Sequence, residues 1–191
     1  MTDMRKQPIV LVFAGPNGSG KTTATKALPV IGTYVNADDI KMKFGLSDLE
    51  AAQQAEALRN KLLNSGADFT FETVMSTERN LLLLQKAKSQ GYEVRCVYVL
   101  TCDENINVAR VKSRFASGGH DVPEDKIRVR YHRALALLPQ LIPVCDKMLI
   151  YDNSNDISSR PSLIFKKWYE QTEIYPDKYW SKEKLQKLLG V

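Results

Sequence analysis

Directly after an apolar run the chain reads Gly15-Pro16-Asn17-Gly18-Ser19-Gly20-Lys21-Thr22-Thr23, the GxxxxGK[ST] spacing of a phosphate-binding loop. Each residue type has a physical task at its place. The glycines let the backbone curl so that successive N–H groups point at phosphate oxygens. Lys21 neutralises the β- and γ-phosphates, the Thr22 hydroxyl is an oxygen donor for Mg2+, and the helix that follows presents its positive end. A glycine-rich turn that matches by chance needs no strand before it and no helix after it, and the sequence encodes both. Gly15 to Thr23 are therefore assigned to ATP, with GTP as the alternative the same loop accepts, and Thr22 to the metal.

Holding a nucleotide does not say where its phosphate goes. In open α/β sheets that is decided beyond the carboxyl ends of the other strands. In "YVNADDI" the acids Asp38 and Asp39 are adjacent, and on an extended strand end they point to opposite sides, so one of them faces the γ-phosphate. Asp38 can there contact an acceptor hydroxyl and take its proton; capping of the next helix by Asn36 or Asp38 is the equal alternative. In "DFTFET" Phe69 and Phe71 alternate with Thr70 and Glu72, one face core and the other polar. Glu72 then either orders the water shell of Mg2+ or holds a substrate hydroxyl, against a solvated carboxylate at a strand end. Thr73 either assists at the substrate or caps the following helix. No strand ends in the apolar-run-plus-Asp pattern of motor ATPases, which favours a small kinase.

Arginines supply the third element. "ENINVARVKSRFASGG" reads as a helix with Val108, Val111 and Phe115 on a buried stripe, which puts Arg110 and Arg114 together on a neighbouring face. Gly118-Gly119 breaks it, and Pro123 opens a second helix with a core stripe of Ile127, Tyr131, Leu135 and Leu138. Arg130 and Arg133 share a face beside that stripe, while Arg128 reads as solvated surface. Two helices about a hinge, over roughly residues 110–133, form a lid whose guanidinium groups can stabilise a transferring phosphoryl group. His120 is a candidate substrate donor at the hinge, with an incidental loop histidine as the alternative; His132 reads as incidental.

These residues need a frame. Five β-rich runs, "PIVLVFAG", "TYVNA", "DFTFET", "YEVRCVYVLT" and "KMLIYDN", alternate with helical stretches, as βαβ units do. The expected fold is an α/β P-loop kinase: a five-stranded, mostly parallel sheet flanked by helices, with a helical lid. Ser47 and Gly66 bracket one helix and Ser76 or Thr77 and Gly91 another. The 191 residues, 43% hydrophobic and 26% charged, suit a single domain over 1–191, with residues 156–191 expected as helices on the flank. No apolar run approaches the roughly 20 residues of a membrane span, so a cytoplasmic protein without a membrane partner is expected. Cys96, Cys102 and Cys145 form no metal-ligand spacing.

The net charge of +5 suits any anionic partner. The tail "FKKWYEQTEIYPDKYWSKEKLQKLL" interleaves lysines with aromatics that could stack bases. Acids interrupt its charge, so aromatics that dock the tail are the better reading and nucleic acid is not the expected partner.

Taken together, "GPNGSGKTT", "YVNADDI", "FTFETVMS", "ARVKSRFASGGHDVP" with "RVRYHR", and "YDNS" resemble the zeta toxin family of small P-loop kinases, in particular its short bacterial members. The likeness runs from about Ile9 to Ser154. The resemblance implies ATP- and Mg2+-dependent phosphorylation of a small-molecule hydroxyl, UDP-N-acetylglucosamine or a related sugar nucleotide, and a small antitoxin as partner. It implies Asp38 as general base, Glu72 at the substrate, and Arg110 and Arg114 near the phosphate clamp. A second family arginine maps near Gly118 to His120, where this chain has none; Arg130 or Arg133 are the substitutes. Asn153 in "YDNS" lies where a loop after the last strand lines an adenine pocket, with a turn-forming asparagine as the equal alternative. Two other classes remain open at this point: a polynucleotide kinase or RNA-binding NTPase, and a nucleotide-binding regulator without catalysis.

Overall fold

The computed structural model describes residues 7–118, 122–155 and 160–191. Strands β1 (Ile9–Ala14) and β4 (Glu93–Leu100) lie side by side in the middle of the sheet and are buried almost throughout, as near-continuous apolar runs require when both faces are covered. With β2 (Thr33–Val35), β3 (Phe69–Thr73) and β5 (Lys147–Asp152) they form five parallel strands in the order β2-β3-β1-β4-β5.

Among the described residues the sheet has seven strands, not five. β6 (Ser162–Trp168) runs antiparallel to β5, and β7 (Gln171–Ile174) antiparallel to β6. The tail expected as helices is therefore largely a hairpin, turned tightly at Tyr169 with φ +55°. Its mixed charges are cross-strand partners, Lys166 opposite Glu173 with Nζ and Oε1 3.2 Å apart, and such pairs mimic a charged helix face in sequence. Among the described residues of the tail only α8 (Lys182–Leu189) is helical, docked by Leu185 and Leu189. Of the tail aromatics, Trp180 is buried and donates Nε1–H to Asp152 at 2.9 Å.

Helix α1 (Lys21–Ala27) covers one face of the sheet over Leu11, Phe13 and Val97. The other face carries the larger core, where Val10, Val12, Phe69 and Phe71 meet residues of α3 (Asp48–Asn64) and α4 (Glu78–Ser89). α2 (Ala37–Phe44) precedes α3, which starts with a capping box between Ser47 and Glu50, the reciprocal pairing that satisfies two otherwise orphaned N–H groups.

α5 (Glu104–Ala116) and α6 (Glu124–Ala136) close on each other through Val108, Val111 and Ile127, and the short α7 (Leu138–Leu141) follows. Four expectations change here. Phe115 is exposed rather than buried, Leu135 is half-buried, and Leu138 is core but belongs to α7. Arg128 is not a solvated side chain: it donates to Glu104 at 2.8 Å, Asn105 at 2.9 Å and Glu124 at 2.7 Å. It sits where α6 passes the start of α5, and ties the two helices together. Among the described residues no helix is long and apolar enough to cross a membrane.

Candidate active site

The phosphate loop leaves β1 at Gly15 and enters α1 at Lys21. Two asparagines hold it. Asn107 of α5 donates Nδ2–H to the Asn17 carbonyl at 2.5 Å, and Asn153, after β5, donates to the Ser19 carbonyl at 2.7 Å. Gly18 and Gly20, with φ of +75° and +108°, lie against those supports: a Cβ would come within 2.6 Å of the Asn107 carbonyl oxygen and 2.4 Å of Asn153 Nδ2. Here glycine is needed both for the left-handed backbone and for the space. Asn153 Nδ2 is thus engaged by the loop itself. Asn107 escaped the sequence reading, because an asparagine inside a helix carries no motif; its full burial is the signal that marks it.

Lys21 folds back onto the loop, donating to the Gly15 carbonyl at 2.7 Å and the Pro16 carbonyl at 3.0 Å. Burial lowers its pKa from 10.5 to about 8; Glu72 opposes that shift, Arg114 adds to it, and Asp38 opposes it. Those three groups come from β3, α5 and α2, so the electrostatics of one ammonium bring together residues that the sequence proposed separately. Ser19 Oγ and Asn17 Oδ1 are buried in the loop without a partner among the described residues, as fits a cradle for a polar ligand. Thr22 and Thr23 are exposed at the start of α1.

Glu72 is no free carboxylate at a strand end. Thr25 donates to its Oε1 at 2.7 Å and Tyr34 at 2.6 Å, and the Thr22 hydroxyl lies 3.4 Å from Oε2. The Tyr34 pKa is pushed up, by burial first and by that hydrogen bond second, so Tyr34 stays a donor. Thr22 and Glu72 offer adjacent hard oxygens, the donor chemistry that suits Mg2+.

Asp38 is placed differently from the extended strand end expected. β2 stops at Val35 and α2 begins at Ala37, so Asp38 and Asp39 both lie in a first helical turn. Asn36 is the cap, accepting the Asp38 N–H at 2.9 Å. The capping role falls to Asn36, and the exposed Asp38 carboxylate is left to act on Lys21. Thr73 accepts from Met75 N at 3.0 Å and Asn80 Nδ2 at 2.8 Å, so its hydroxyl orders the turn into α4.

Of the arginines, Arg114 reaches Lys21 electrostatically. Arg110 donates to the Asn155 carbonyl at 2.9 Å; burial lowers its pKa and Asp152 works against that. Arg130 is half-buried and Arg133 exposed, and neither makes a side-chain hydrogen bond or ion pair among the described residues. Gly119 of the expected hinge and His120 lie outside the described residues.

A zeta toxin family profile matches residues 1–159. An uncharacterised protein of Haemophilus influenzae is 29% identical over 127 residues, covering 63% of this chain and 91% of that protein. Among solved structures, the AvrRxo1-ORF1:AvrRxo1-ORF2 complex with ATP aligns with TM-score 0.70 at 16% identity, over 97% of this chain and 64% of that one. The PezAT chromosomal toxin-antitoxin system of Streptococcus pneumoniae aligns with TM-score 0.61 at 18% identity, over 99% and 82%. The chain thus spans about 64% of the length of the AvrRxo1 chain it matches, and at these identities the structures share its P-loop kinase fold.

Proposed function

Because the chain belongs to the zeta toxin family, we propose that it is a phosphotransferase that moves the γ-phosphate of ATP to a hydroxyl of a small molecule. One observation carries this reading: Lys21 in the phosphate loop feels Glu72 from β3, Asp38 from α2 and Arg114 from α5 at once. One strand and two helices far apart in sequence thus set two carboxylates and a guanidinium acting on one lysine of the phosphate loop.

In this reading the loop N–H groups and protonated Lys21 hold the β- and γ-phosphates. Asp38 orients the acceptor hydroxyl and takes its proton as the oxygen bonds to phosphorus and the bond to the ADP oxygen breaks. Arg114, with Arg110 and Arg130 as further candidates, neutralises charge on the transferring group. Thr22 would hold Mg2+, with Glu72 ordering the waters around it. When bound, that ion neutralises charge on the phosphate oxygens.

By family resemblance, the acceptor is UDP-N-acetylglucosamine or a related sugar nucleotide, and a small antitoxin is the partner. The pairing of AvrRxo1-ORF1 with ORF2 and the PezAT toxin-antitoxin system support a protein partner of that kind. A cytoplasmic setting suits such a kinase.

The test is an ATP-dependent phosphorylation screen over small metabolites, sugar nucleotides included, run with the wild type, Asp38→Asn and Lys21→Ala. Asp38→Asn is expected to lose turnover by about 10²–10⁴-fold with ATP binding retained, and Lys21→Ala to lose both. Full activity in Asp38→Asn removes the base assignment. ATP binding with no ADP release for any acceptor favours a regulator without catalysis.

A further inference from the structure

Arg59, in the middle of α3, is only 8% exposed, yet its guanidinium makes no hydrogen bond or ion pair among the described residues, and its Nε is fully buried without a partner. It stacks over a ring: the guanidinium carbon lies 5.2 Å from the centroid of Phe71. A cation over an aromatic face gains electrostatically, but the contact satisfies none of the five N–H donors, which lie in the guanidinium plane. Glu56, a turn earlier, is the carboxylate whose charge acts on Arg59. Its Oε2 is bonded to Arg79 at 3.1 Å. A buried cation so poorly compensated is costly, and the missing partner has an obvious chemistry: an oxyanion.

There is room for one. Arg59 lines a cavity of about 170 Å3 between α3 and α4, together with Asn60, Arg79, Asn80 and Lys86, and with Glu56, whose carboxylate is neutralised by Arg79. That volume falls short of the roughly 300–1,000 Å3 of a whole small-molecule site but far exceeds the ~30 Å3 share of a water, so it suits one acidic group and its nearest neighbour. A second orphan lines the same cavity. Asn80 gives Nδ2–H to Thr73, while its Oδ1 is buried with no donor. A ligand that answers both needs carries an acidic group and a hydroxyl or N–H close beside it.

We propose that the cavity between α3 and α4 is an anion-binding site in which Arg59, flanked by Arg79 and Lys86, holds the phosphate or carboxylate of a small hydroxylated ligand, with Asn80 accepting its hydroxyl. The site is separate from the phosphate loop: Phe71 faces the α3/α4 core, whereas Glu72, next in sequence, turns to α1. Phe71 and Thr73 nevertheless flank Glu72 at the carboxyl end of β3. If phosphoryl transfer proceeds as proposed above, the group held here is the non-reacting acid of the acceptor; that last step alone rests on the proposed function.

The experiment titrates glycerol 3-phosphate, inorganic phosphate and lactate into the Lys21→Ala protein, followed by calorimetry and by the Arg59 Nε–H resonance. Binding is expected to survive Lys21→Ala and to weaken about tenfold or more when Arg59→Met is added. Glycerol 3-phosphate is expected to bind more tightly than inorganic phosphate, and its comparison with lactate distinguishes a phosphate from a carboxylate as the acid. The melting temperature of ligand-free Arg59→Met is expected to hold or rise, since an uncompensated charge is removed. If that variant fails to fold, Arg79→Ala with Lys86→Ala, both at exposed side chains, is expected to weaken binding several-fold instead. Binding that vanishes with Lys21→Ala places the anion on the phosphate loop and overturns the proposal. So does undiminished affinity in the arginine variants, or no response to any probe at millimolar concentration. Failure of the phosphotransfer reading shows separately, as absent ADP release with this binding intact.

Discussion

Asn107 donates its side-chain amide to the carbonyl oxygen of Asn17 at 2.5 Å, across 90 residues of sequence. Its own Oδ1 accepts the Thr101 hydroxyl, so the amide is held from both ends. The phosphate loop is thereby fixed to the helix that also carries Arg110 and Arg114, and loop and helix cannot move independently without breaking this bond.

Asn107→Leu leaves the part-buried Asn17 carbonyl without its partner and the Thr101 hydroxyl with only the Asp103 carbonyl, 3.2 Å away. It is expected to lower stability by about 1–3 kcal/mol, read from urea unfolding. Nucleotide affinity is expected to fall several-fold as well, because the loop loses a support. Unchanged affinity with lowered stability would make Asn107 a packing residue only.

Glu72→Gln separates the two roles that the sequence left open for Glu72. The 3.4 Å approach of the Thr22 hydroxyl to its Oε2 puts the carboxylate on the metal side. The Mg2+ concentration for half-maximal turnover is therefore expected to rise about tenfold, of the order of one lost charge-assisted contact, with the acceptor KM changing less. Tyr34→Phe removes one donor, 2.6 Å from Oε1, and is expected to shift the same Mg2+ titration by a few-fold. A large change in acceptor KM alone would return Glu72 to the substrate hydroxyl.

What was legible in the sequence follows the range of the forces involved. The phosphate loop, the N-cap at Ser47 and the parallel core rest on local spacing, and they stand where the sequence puts them. The tail hairpin was not legible, since Lys166 and Glu173 pair across strands and only an existing β5 edge gives that pairing meaning. Asp38 lies in a helical turn rather than on an extended strand end, and the cap is Asn36, one of the two residues the sequence offers for it. Asn107 and Arg59 were invisible because their significance is burial without a motif, a property of the assembled fold.

Lys21 provides a pH test. Its pKa in the protein without nucleotide is about 8, against 10.5 in the unfolded chain, with burial as the main cause. Phosphates bound beside it favour the charged form and raise that value, so binding above pH 8 takes up a proton. Affinity for an ATP analogue is expected to be flat below pH 8 and to fall by up to tenfold per pH unit above it. Lys21→Arg is expected to lose that slope, because guanidinium stays charged. In the free protein the sign is opposite. Between pH 8 and 10.5 the unfolded chain binds more protons, so the Lys21 contribution to stability rises with pH across that window.

Arg114 is testable through the same lysine. It is one of the groups that lower the Lys21 pKa, so Arg114→Ala is expected to move the onset of the affinity loss to higher pH than in the wild type. Turnover is expected to drop by about 10³-fold or more if its guanidinium neutralises the transferring phosphoryl group, while affinity at pH 7 changes little. Arg110→Ala makes the contrast. Arg110 bonds the Asn155 carbonyl and feels Asp152, and it is not among the groups acting on Lys21, so the onset is expected to stay in place. An onset that moves in both variants would point to a shift of α5 as a whole. An onset that moves in neither would place Arg114 away from the loop and leave Arg110, Arg130 and Arg133 as the candidates for the clamp.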